Sequence, residues 1–138
     1  MVLGVSVNLL AVLVVSVITM IIGSLWYGPL FGKPWMKMMG FTKASIKKMK
    51  MSPATAMMLG FVGTLLTNFV LGVIVGLAGA VTLGQGAMVG FWVWLGIAMP
   101  LHAGVFLWDN KPFNLFFLNT IQYLVAIVIA ASILAVWA

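Results

Sequence analysis

Apolar positions in this chain neither alternate nor form one-sided stripes; they run unbroken for tens of residues. Three stretches carry no charge, at residues 2–32, 51–108 and 112–138. A hydrocarbon layer of about 30 Å needs about 20 apolar residues in helical form, so each stretch is long enough to cross a bilayer. The middle stretch is about twice the length one crossing needs. It is interrupted at Gly79-Ala80-Val81-Thr82-Leu83-Gly84-Gln85-Gly86, a natural place to fold back. The pattern therefore predicts four helical spans, near 5–27, 54–79, 85–107 and 113–137, in a single integral membrane domain covering 1–138. A transmembrane β-barrel would alternate apolar and polar residues with period two, whereas these runs are apolar on every face. The expected fold class is all-α and polytopic.

Composition agrees. Of 138 residues, 64% are hydrophobic and 6% charged, too little polar surface to cover a water-soluble core of this size. The charge that exists is placed unevenly. Lys33, Lys37, Lys43, Lys47, Lys48 and Lys50 fall between the first and second spans, and Lys111 lies beside Asp109 between the third and fourth. With four spans these two loops share a side, and the turn near Gly84 carries no charge. The positive-inside rule puts both loops in the cytoplasm and both termini outside. The first span has no basic stretch before it and is followed by basic residues, so it reads as a retained helix and not a cleaved signal. Lysines beside a membrane attract anionic lipid headgroups at about 1 kcal/mol each, a simpler use of the +6 net charge than nucleic acid. Thr42 can cap a short segment at 43–51 that reads either as an interfacial helix or as a plain basic linker.

Candidate chemistry is sparse. There is no cysteine, one histidine and a single carboxylate side chain, Asp109. Disulfides, thiolate redox chemistry and paired-carboxylate catalysis are excluded, and no metal, cofactor or enzymatic activity is expected. Small multidrug exporters also have four spans, but they couple protons through a membrane-embedded carboxylate that this chain lacks.

The densest local motif closes the first span. In Gly23-Ser24-Leu25-Trp26-Tyr27-Gly28-Pro29-Leu30-Phe31-Gly32-Lys33-Pro34-Trp35-Met36, belt aromatics surround two prolines, and Trp26, Tyr27, Pro29, Phe31, Gly32 and Trp35 are expected to stop the helix at the headgroup level. This stretch resembles the signature of the bacterial and archaeal membrane family known as domain of unknown function 1761. The likeness extends more loosely to length, four spans, and a polar-flecked start of the fourth helix at Asn119, Gln122 and Tyr123. It implies the same architecture in a prokaryotic plasma membrane and leaves the activity open. A shorter internal likeness pairs Leu25-Trp26 and Lys33-Pro34-Trp35 with Leu107-Trp108 and Lys111-Pro112-Phe113, either a parallel repeat or the ordinary gathering of these residues at interfaces.

Polar residues inside the spans are the place to look for a site, because an unpartnered polar group in hydrocarbon costs several kcal/mol. His102 lies six residues before Trp108, and Asn119 six residues after Phe113, so the two share a depth. Gln122 and Tyr123 follow Asn119 on the same stripe. Thr19 falls near that level, and Asn68 in the second span could face the same interior. Pro100 cannot donate to the carbonyl of Gly96, which marks a helix break there. These residues form a candidate polar pocket on the cytoplasmic half, or else interhelical bonds worth about 0.6 to 2 kcal/mol each. Gly72 with Gly76, Gly86 with Gly90, and Gly96 with Gly104 sit at spacings that permit close helix approach. Two functions fit: a homo-oligomeric transporter or channel for a small solute, or a non-catalytic accessory subunit packed against a larger membrane complex.

Overall fold

The computed structural model describes residues 2–40, 52–109 and 112–137. It is all-helical, with four helices long and apolar enough to cross a membrane: Leu9–Leu30, Ala54–Leu77, Leu83–Trp108 and Phe113–Val136. At 1.5 Å per residue these reach roughly 33 to 39 Å, enough for the hydrocarbon layer with some tilt. The segment at 43–51, with Lys43, Lys47, Lys48 and Lys50, lies outside the described residues, as does Lys111.

The first span starts at Leu9 and not at residue 5. Asn8 caps it, its Oδ1 accepting from the backbone N–H of Leu10 and Ala11, while Val2 and Val5 exchange two backbone hydrogen bonds ahead of it. Helix α1 (Leu9–Leu25) passes into a π turn (Trp26–Leu30), and a second helix, α2 (Gly32–Met39), follows Phe31. The expected stop at the glycines and prolines is thus a change of hydrogen-bond register. An α-helical ladder would aim one carbonyl at Pro29, which has no N–H; the i→i+5 pattern passes that carbonyl to the next residue. Helix α2 ends at Gly40, whose φ of 75° is left-handed and suits glycine.

Helix α3 (Pro53–Leu77) is capped by Ser52, whose Oγ accepts from Thr55 N–H at 3.2 Å, with Pro53 in the first turn. Gly79, at φ 71°, reverses the chain. Helix α4 (Leu83–Val93) then begins two residues before the predicted start at Gln85. Thr82 and Gln85 form a capping box that draws Gly84 and Gly86 into the helix. A second π turn (Trp94–Ala98) leads into α5 (Met99–Asp109), and α6 (Phe113–Val136) completes the order.

Helix α6 is the common wall. It packs against α1, α3 and α4, its contact with α4 being the most extensive between any two helices, whereas α3 and α4 touch little despite their short connection. Close approach between α4 and α6 depends on two glycines. A Cβ built on Gly86 would lie 2.5 Å from Ala131 O, and one on Gly90 would lie 3.0 Å from Ile127 O. Gly72 and Gly76 receive Val7 and Val5, while Gly96 and Gly104 have no atom within 4 Å of a would-be Cβ and support no helix contact. The apolar core collects Ala11, Val12, Val15, Leu71, Val75, Ala130, Ala131 and Leu134, in the half of the bundle that holds the Gly79 turn. The other half, toward the lysines, is held by aromatic rings and hydrogen bonds, and the candidate site lies there.

Candidate functional site

Two sides of α6 receive polar or aromatic partners from different spans. From the first span, the Tyr27 hydroxyl donates to Oδ1 of Asn119 at 2.7 Å, and the Trp26 indole N–H donates to the carbonyl of Leu118 at 3.0 Å. From the third, the Trp94 indole N–H donates to the carbonyl of Thr120 at 2.8 Å. His102 packs its ring edge-on to Tyr123 at 5.3 Å between centroids, with Phe116 on another side at 6.4 Å. Tyr27, Asn119, Tyr123 and His102 thus form one layer across three spans.

The two tryptophans act alike. Each opens a π turn, and each bonds a backbone carbonyl of α6 two residues apart from the other. A carbonyl oxygen has two lone pairs, so it can serve its own helix and an indole together. The wider turn displaces the ring that follows the α-helical part, and both indoles are half-buried while Trp108 is 92% exposed. The structural counterpart of Trp26 is therefore Trp94, not the Trp108 that the sequence likeness pairs with it. The second π turn also bears on the break expected at Gly96 and Pro100. Gly96 lies inside the turn, Met99 N–H donates to Trp94 O, and the span runs on through Pro100 to Trp108 without interruption.

The remaining polar residues take separate places. Asn68 is buried at 4% exposure and donates from Nδ2 to Ser16 Oγ at 3.0 Å, a link between α3 and α1 that lies 11 residues along α1 from the Tyr27 layer. Thr19 donates to the Val15 carbonyl of its own helix at 2.8 Å. Gln122 is buried at 5% exposure beside Gly23, and its carboxamide makes no hydrogen bond to a described residue. Thr120 is similarly buried, with no partner for Oγ1. Nothing connects Asn68 or Thr19 to His102 directly. Trp35 packs against Tyr27 at 5.1 Å and Phe31 against Trp26 at 4.8 Å, so the interfacial aromatics buttress the layer from below. Lys33 and Lys37 extend from α2, and Gly32 is buried with Tyr27 O 2.7 Å from a would-be Cβ.

Ser16, Trp94, Thr120 and the Phe106, Phe113, Phe116 and Phe117 cluster escape a reading of the sequence. A serine or phenylalanine within an apolar run gives no hint of its facing helix. The tryptophan could have been found, since Trp94 lies six residues before Pro100 and Trp26 three before Pro29.

No cluster of three or more metal-ligating side chains occurs among the described residues. An apolar recess of about 330 Å³ lies between α3 and the third span, lined by Leu66, Thr67, Val70, Ile74, Val93 and Ile97 and open to the side.

No curated protein and no solved structure matches the chain. A family profile described as "Protein of unknown function (DUF1761)" does match, over residues 10–135, which takes in all four spans from α1 to α6. The chain belongs to that family.

Proposed function

We propose that this protein binds and passes a small, neutral, hydrogen-bonding solute through a prokaryotic plasma membrane, working as a homo-oligomer with its lysine-bearing loops in the cytoplasm. The observation that carries this reading is the convergence of Tyr27 and His102, from the first and third spans, on Asn119 and Tyr123, which are one turn apart on α6. The layer offers hydroxyl, carboxamide and imidazole groups and no carboxylate or ammonium, a set suited to a neutral solute. Polar groups inside hydrocarbon are expensive enough that a layer built from three spans is a natural site for function. Four helices enclose little volume, so a conduit needs several copies. Lipids flank the chain, and anionic headgroups suit Lys33, Lys37 and the loop that follows.

The test uses purified protein in liposomes, with osmotic shrinkage and reswelling driven by urea, glycerol or formamide. Protein-dependent reswelling that falls at least tenfold in His102→Phe and Asn119→Leu, with helical content retained, supports the reading. Reswelling no faster than in empty liposomes with all three solutes, or unchanged in both variants, overturns it.

A second reading, the accessory subunit, is favoured by the apolar recess between α3 and the third span, whose walls could receive a helix of a larger complex. A stoichiometric partner recovered from native membranes, and lost when Val70 and Ile97 are changed to bulkier tryptophan, would favour it.

A further inference from the structure

Along α1, Ser16, Thr19, Gly23 and Tyr27 follow one another at spacings of three and four, so they share a face. Its Gly23 and Tyr27 end meets α6, where Tyr27 reaches Asn119 and Gly23 lies against Gln122, while Ser16 turns to Asn68 of α3. Gln122 lies nine residues into α6, about 13 Å along the helix from its start and thus deep in the hydrocarbon layer. A carboxamide there has two N–H donors and an acceptor oxygen, and leaving them all unmade costs several kcal/mol. It is nonetheless 5% exposed and without a hydrogen bond to the described chain.

There is space beside it. Beyond Gly23's chain neighbours and its own helix backbone, the one described atom within 4 Å of a would-be Cβ there is Nε2 of Gln122, at 3.8 Å, an ordinary van der Waals distance. One turn along the same face, Thr19 donates its hydroxyl proton to Val15 O, which leaves the lone pairs of Oγ1 open to another donor. A buried polar niche with two to four partners is the setting in which proteins hold internal water. We propose that the seam between α1 and α6 holds ordered water beside Gly23, donated to by the Gln122 carboxamide and donating in turn toward Thr19. The glycine provides the room, the amide anchors the water, and Tyr27 and Asn119 lie between it and the lysine-bearing end. The inference deepens the proposed solute layer by giving it a wet flank, but its test reads hydration and not flux, so either can fail alone.

The chain has two glutamines, Gln85 in the exposed turn and Gln122 in the seam, so side-chain amide ¹⁵N labelling of glutamine gives two signals with an internal standard. Protein reconstituted in lipid is examined by solid-state NMR with polarisation transferred from water protons. Build-up at Gln122 within fivefold of the Gln85 rate supports the site, and slower build-up than that overturns it. Gln122→Leu assigns the signals by removing one, and Gln85→Asn assigns them independently should the first variant fail to fold.

Discussion

The Tyr27 hydroxyl donates to Asn119 Oδ1 at 2.7 Å across 92 positions of sequence, joining the end of the first span to the beginning of the fourth. Its loss in Tyr27→Phe leaves the carboxamide oxygen of Asn119 without that donor. The expected cost is about 1 kcal/mol in thermal or denaturant unfolding in detergent. A double-mutant cycle with Asn119→Ala should return a coupling of about 0.6 to 1.7 kcal/mol. Additive effects would mean that the contact does not form in solution.

The Asn68–Ser16 bond is more enclosed, with Ser16 at 0% exposure and Asn68 at 4%. Ser16→Ala strands the amide and should cost about 1 to 3 kcal/mol, more than the double replacement Ser16→Ala with Asn68→Leu, which removes both polar groups. Unfolding midpoints of the three chains check the order.

Glycines divide into two kinds. Gly86→Ala drives a methyl group into Ala131 O and Ser132 Cα of α6, and should lower stability by about 1 to 3 kcal/mol by prising α4 away. Gly104→Ala meets no atom within 4 Å and should be neutral or stabilising by up to about 1 kcal/mol, because alanine favours the helix. Melting curves of both variants in one detergent make the comparison direct.

Trp94→Phe keeps a ring and deletes the donor to the Thr120 carbonyl, an expected loss of about 1 kcal/mol. Infrared spectra with a ¹³C=¹⁸O label at Thr120 should show that carbonyl's band moving to higher frequency in the variant, as it does when an acceptor loses a hydrogen bond. The same label at Leu118 should respond to Trp26→Phe and not to Trp94→Phe.

The four spans were legible because lipid imposes the same demand on every face: long charge-free runs have one architectural meaning. Their ends were less so, since Asn8 and the Thr82–Gln85 box start helices through side-chain caps that override apolarity alone. Depth can be counted from the helix ends, which puts His102 and Asn119 at one level. Azimuth could not. A helix apolar all round carries no stripe to say which side faces inward, so the partner of Asn68 and the seating of Gln122 required the packed chain. Proline pointed to backbone disturbance in both cases, but whether the helix stops or widens to a π turn depends on a neighbouring helix able to hold the displaced tryptophan.

Because the wall shared by the other spans follows all three of them in the chain, a nascent chain halted before residue 113 holds three rods without their common neighbour. In that interval the third rod has its glycine face at Gly86 and Gly90 bare to lipid. Assembly must therefore wait on the insertion of α6, and a truncation that spares the three earlier crossings would strand the protein as a loosely tethered intermediate, open to membrane proteases.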